Sequence, residues 1–76
     1  MSETRSQIAD RIRELREISD MSVDVLSQKL NIPKDTYLQY ENGETGVPIS
    51  TLYEIAGILD VELTELLTGS TPRLQS

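Results

Sequence analysis

Between Ser22 and Gly43 the chain reads SVDVLSQKLNIPKDTYLQYENG. Two short amphipathic stretches flank a tight Asn31-Ile32-Pro33 break, and the second stretch closes on Glu41-Asn42-Gly43. At helical spacing Tyr37 and Tyr40 point one way, while Lys34, Asp35, Leu38, Gln39 and Asn42 lie on the other side. The chemistry open to such a face is recognition rather than bond-making. Two helices around a tight break read as a helix-turn-helix, whose second helix can be offered to the major groove of DNA. The charge pulls against this, because the chain carries a net −6 with a pI near 4.4 and DNA is a polyanion.

Composition excludes most other chemistry. Seventy-six residues make one small domain with a modest core and no room for a deep active-site cavity. With no Cys and no His, a disulfide framework, a thiolate nucleophile, the commonest zinc ligands and the usual general base are all missing. The carboxylates are scattered over faces predicted to be exposed. The reading is therefore of a chain that is not an enzyme and needs no cofactor or metal. The N-terminus, MSETRSQIADR, has no apolar run of the signal-peptide kind, and no stretch approaches ~20 apolar residues. A soluble cytoplasmic protein with no membrane partner is the expectation by elimination.

The charge is unevenly spread. Residues 1–19 balance, with four basic and four acidic side chains. Residues 20–47 hold Lys29 and Lys34 against Asp20, Asp24, Asp35, Glu41 and Glu44, a net −3. Residues 48–76 hold Arg73 against Glu54, Asp60, Glu62 and Glu65, also −3. Half of the excess thus lies within the candidate recognition unit.

Five helices must position that unit. The first spans about Arg5 to Ile18, with Ile8, Ile12 and Leu15 on one stripe, Thr4 and Gln7 at capping-box spacing, and a break at Asp20-Met21. The second follows Ser22 as N-cap, with Asp24 favoured by the helix dipole and Val25, Leu26 and Leu30 as its apolar face. Asn31 is a left-handed stop. Pro33 suits the first helical position of the third helix, and Gly43 ends it. After a loop over 44–49, the fourth begins at Ser50 or Thr51, the latter at capping-box spacing from Glu54, and buries Leu52, Ile55, Ala56 and Leu59. The fifth covers about Glu62 to Leu67 and stops at Gly69. Residues 1–69 form the domain, and 70–76 read as a tail or linker. The fold class is all-α, a compact five-helix bundle.

Leu26-Ser27-Gln28-Lys29-Leu30-Asn31-Ile32, then Tyr37-Leu38-Gln39-Tyr40-Glu41-Asn42-Gly43, then Ser50-Thr51-Leu52-Tyr53-Glu54-Ile55-Ala56 resemble the phage-repressor and Cro-type helix-turn-helix family, also called the xenobiotic-response-element family. The resemblance covers about residues 8–68. It implies a repressor-like DNA-binding domain of a transcriptional regulator, with the third helix, about 33–42, in the major groove. Lys34, Asp35, Leu38 and Gln39 fall where relatives read bases. Gln39 can pair bidentately with adenine, and Lys34 can reach a guanine edge or a phosphate. Ser22, Gln28, Thr36, Asn42 and Thr45 look like phosphate contacts, and neutral donors can position a protein without net positive charge. The family pattern also pairs Arg16 with Glu41, where a guanidinium can hold the carboxylate bidentately.

The chain departs from the pattern in places. Val23 is counted with the DNA-facing residues although it stands where many relatives place a polar contact, and Asp35 and Leu38 stand in the reading face. Pro33 replaces a Ser or Thr cap, and Glu44 replaces a common basic residue. Tyr37 and Tyr40 read as core residues with hydroxyls near solvent rather than as stacking platforms. Arg11 and Arg13 read as partners of Asp10, Glu14 and Glu17 at helical spacing rather than as phosphate contacts. Asp35 is either a reader or a first-turn dipole cap. Ile58, Leu66 and Leu67 either extend a dimer patch or finish the core. The implied partners are double-stranded DNA and a second copy bound to a two-fold site. The wording around Tyr40-Glu44 and Val47-Ala56 is similar to regulators with a C-terminal cupin sensor, a domain that could supply dimer contacts. The alternative is a protein-interaction module using the same fold without DNA.

Overall fold

Helix ends organise this structure. The computed structural model describes residues 5–68, folded as α1 (Arg5–Ile18), α2 (Val23–Leu30), α3 (Lys34–Glu41), α4 (Ile49–Leu59) and α5 (Leu63–Thr68). No strand occurs among the described residues, and no helix there is long and apolar enough to cross a membrane. The expected Thr4–Gln7 capping box, the stop at Gly69 and the tail from residue 70 lie outside the described residues.

The first four helices terminate in the same way. Asp20, Asn31 and Asp60 take left-handed backbone with φ of 58°, 60° and 62°, and Gly43 does so at 74°. In each case the following amide reaches back five residues: Met21 to the Arg16 carbonyl, Ile32 to Ser27, Glu44 to Gln39 and Val61 to Ala56, at 2.9–3.1 Å. This is the Schellman ending, which satisfies carbonyls that the helix leaves unpaired and tends to bring an apolar residue back onto it. Met21, Ile32 and Val61 occupy that returning position, and all three pack against the core. One local device thus both stops the helices and folds the chain over.

Two helix starts differ from expectation, and proline is the reason for both. Pro33 is the N-cap of α3 rather than its first residue, with ψ 147°. Its carbonyl accepts from Tyr37 N–H at 3.1 Å. Pro48 plays the same part for α4, accepting from Leu52 N–H at 2.9 Å. The fourth helix therefore opens at Ile49, earlier than Ser50 or Thr51, and Thr51 is its third residue rather than a cap. Neither proline can supply a capping side chain.

The core gathers Ile12 from α1, Leu26 and Leu30 from α2, Tyr37 from α3, Leu52, Ile55, Ala56 and Leu59 from α4, and Leu66 from α5. Leu66 is fully buried in it, and Ile58 and Leu67 pack against it while staying partly exposed. Val25 is a correction. It is exposed, and the buried face of α2 is Leu26, Ser27 and Leu30, with the Ser27 hydroxyl satisfied by the Asp24 carbonyl at 3.1 Å. Arg11 is a second correction. Its guanidinium donates to the carbonyls of Leu66 and Leu67 at 3.2 and 3.1 Å, so it caps the end of α5 and complements its dipole.

The left-handed endings make a prediction. Asn31→Ala should lower stability to urea by about 1 kcal/mol, because alanine resists left-handed backbone, while Asn31→Gly should cost much less. Equal losses for the two would remove the backbone argument.

Candidate nucleic-acid interface

Helix α3 commits very little of itself to the interior. Only Tyr37 and Glu41 are buried, one turn apart on a narrow stripe, and Tyr40 packs partly against the core. The remaining face is left to solvent.

The buried carboxylate is fully matched. Arg16 on α1 donates from Nε to Glu41 Oε2 at 2.6 Å and from Nη2 to Oε1 at 3.2 Å, a bidentate pair. Its Nη1 donates to the Met21 carbonyl at 2.8 Å, tying in the α1–α2 linker. The Tyr37 hydroxyl donates to Glu41 Oε2 as well. The Arg16 and Glu41 side chains are 12% and 5% exposed, so solvent screens the pair little. The hydrogen-bonded Glu41 carboxylate raises the Arg16 pKa above its ordinary value, against the opposing effect of burial. Burial, with the Glu41 carboxylate beside it, pushes the Tyr37 hydroxyl far above the usual tyrosine range.

Tyr37 is the member that sequence reasoning missed. It was expected to place its hydroxyl near solvent, yet it is fully buried and spends that hydroxyl on Glu41. The signal was present in the spacing, since residues four apart on a helix face each other.

The outward side of α3 carries Lys34, Asp35 and Gln39 exposed, with Thr36 and Leu38 half-buried and Asn42 exposed at the C-cap. Leu38 is thus less open than expected. Val23 is half-buried and packs against the core, so it contributes to the interior where relatives place a polar contact. Ser22 is the N-cap of α2, its Oγ accepting from Val25 N–H at 3.1 Å, and its hydroxyl hydrogen remains available to donate. Gln28 and Thr45 are exposed.

An unforeseen contact joins the two helices of the unit. Lys34 Nζ lies 3.0 Å from Asp24 Oδ1, linking the first turn of α3 to the first turn of α2. Both side chains are more than half exposed, so the pair adds little stability and can exchange with another anion. No periodicity could have revealed it, because it spans the turn. Counting Arg16 with the segment whose Glu41 it neutralises, the excess over residues 20–47 falls from −3 to −2.

A helix pair with its second helix held by a tyrosine and a carboxylate, inside a five-helix bundle, defines an all-α helix-turn-helix domain. The chain belongs to the HTH_3 helix-turn-helix family, whose pattern matches residues 12–66. Its structure is similar to that of an HTH_3 family transcriptional regulator from Vibrio cholerae, at 30% identity and a TM-score of 0.76. That match covers 87% of this chain, which spans 37% of the Vibrio protein. It is also similar to the restriction-modification controller protein C.AhdI from Aeromonas hydrophila, at 26% identity and a TM-score of 0.77, covering 82% of this chain and 94% of that one. Among curated proteins, none matches significantly.

Two predictions follow from the buried network. Arg16→Met should cost about 3 kcal/mol, because it strands a buried carboxylate, whereas Arg13→Ala, which opens the exposed pair with Asp10, should cost under ~0.5 kcal/mol. Denaturant unfolding of both variants measures the contrast. Tyr37 adds a pH dependence. Below about pH 10 both states keep its proton and its contribution is complete; above that the unfolded chain releases the proton and the folded chain holds it, so stability falls as pH rises. Between about pH 9 and 11 the wild type should lose more stability than Tyr37→Phe. Parallel losses would contradict the assignment.

Proposed function

We propose that this chain is the sequence-specific DNA-binding domain of a transcriptional regulator, with α3 seated in the major groove. The observation that carries the reading is the division of α3: two residues anchor it and the other face is free. Its family and the similar regulators support the same conclusion.

In this reading Gln39 pairs with an adenine edge and Lys34 reaches a guanine or a phosphate. Asp35 accepts from a cytosine amine, and Leu38 touches a thymine methyl. Ser22, Gln28, Thr36, Asn42 and Thr45 hold the backbone as neutral donors. Val23 supports α2 from within rather than touching DNA. On binding, Lys34 exchanges Asp24 for a group on the duplex. Two copies on a two-fold site place their third helices about 34 Å apart. The similarity to just over a third of a longer regulator fits a reader domain joined to further sequence, and a cupin-type sensor is one such arrangement.

A protein-interaction module is the competing reading. It drew support from an exposed apolar pair on an acidic surface, and the half-burial of both Val23 and Leu38 removes much of that support.

A random-oligonucleotide selection at low salt, with the domain fused to a dimerising partner, tests the proposal. A two-fold consensus is expected; no sequence preference would refute it. On the selected site, Gln39→Ala should weaken binding by ~1–3 kcal/mol and relax specificity at one position, and Lys34→Gln should lower the salt slope by about one.

A further inference from the structure

Lys34 is the only basic residue of α3, and the fold does not leave it free. Its ammonium lies 3.0 Å from the Asp24 carboxylate of α2, across the turn that joins the two helices. The other cation of the 20–47 segment, Lys29, stands elsewhere, on the groove between α2 and α4 beside Asn31 and Ile58. Asp35 follows Lys34 in the chain, but adjacent residues on a helix do not face each other. The one positive charge that α3 can bring to a polyanion therefore already holds an anion of the protein's own. Nothing in the interior requires this pair, because both side chains are more than half exposed and contribute little to stability. The dipole of α2 alone would favour Asp24 in its first turn, but that role asks for no lysine. The Asp24 backbone carbonyl takes the Ser27 hydroxyl, a bond that does not involve the carboxylate. Ser22, the N-cap whose hydroxyl is read above as a phosphate contact, lies two residues earlier. The carboxylate thus stands within one helical turn of a place proposed for a phosphate, and on the lysine proposed to meet the duplex.

We infer that Asp24 is a built-in competitor for DNA. Its carboxylate occupies Lys34 in the free protein as an acceptor on the duplex does in the complex, and so sets the affinity of the domain. The inference rests on the DNA reading above and adds to it a residue that acts against binding. Any duplex must displace this carboxylate before Lys34 can act. The cost belongs to the free protein, so it is the same for a matched site and for any other that Lys34 touches. Asp24 therefore lowers affinity without changing the preference among sequences. After the exchange it also leaves a negative charge near the DNA backbone, which opposes the complex further at low salt. In a chain that is already net −6, the pair removes the one local attraction that α3 has for a polyanion.

Fluorescence anisotropy of the whole chain on its selected duplex, and on a shuffled duplex of the same length, tests this. Asp24→Asn keeps the shape of the side chain and removes its charge. At about 50 mM salt it should tighten binding to both duplexes about fivefold to tenfold and leave their ratio unchanged. The gain should shrink as salt rises toward about 200 mM. Asp20→Asn makes the same change of net charge two residues before the Ser22 cap, at a left-handed position that asparagine tolerates. It should tighten binding by no more than about twofold. In a Lys34→Gln background the gain from Asp24→Asn should fall to that same level, because no pair is left to break. A gain no larger than that of Asp20→Asn overturns the inference. So does a gain that survives Lys34→Gln, or one confined to a single duplex. In each of those cases a wild type that binds its selected site still upholds the DNA reading. If the selection yields no site and no form binds a duplex at low salt, both fall together.

Discussion

The bond from Arg16 to Glu41 is what the rest of this domain depends on. A helix that is to be read against must give up most of its surface, and it can then offer the core very little. Here α3 gives it one fully buried tyrosine and one carboxylate. A buried carboxylate without a partner would be severely destabilising, so its three matched hydrogen bonds from Arg16 and Tyr37 restrict where α3 can lie. Because Arg16 also holds the Met21 carbonyl, the same guanidinium sets the linker that delivers α2. Orientation of the recognition unit thus comes from a polar anchor, whereas α4 is held by four buried apolar residues.

Much of this was legible in the chain. The apolar stripes of α1 and α4, the Ser22 cap, the Asn31 stop and the pairing of Arg16 with Glu41 all lie where pattern and resemblance placed them. What was hidden has physical causes. Pro33 and Pro48 act through their carbonyls, which no side-chain capping rule anticipates. Asp60 stands left-handed where glycine would be the usual signal. Val25 has the right type for the core but the wrong angular position, and Ser27 takes its place because its hydroxyl bonds back into the helix. Arg11 and Lys34 find partners through the tertiary fold, at the α5 terminus and across the turn, where local spacing carries no information.

Acidity and DNA recognition are reconcilable in this frame. Glu41 faces inward and is neutralised, and Asp24 is coupled to Lys34. The proposed phosphate contacts are hydroxyls and carboxamides, which add hydrogen bonds without counterion release. Such a domain gains little from non-specific attraction to the duplex. On the proposed reading, its discrimination rests on a few base-edge contacts.

The most direct test of the central claim, that the free face of α3 meets the duplex, is an amide chemical-shift titration of the domain with its selected DNA site. The account predicts that the largest changes fall on α3 and the first turn of α2, with Lys34, Gln39 and Ser22 among them, while the Arg16–Glu41 contact is retained. Changes confined to α1 or α5, or a signal for α3 that does not respond, would contradict it.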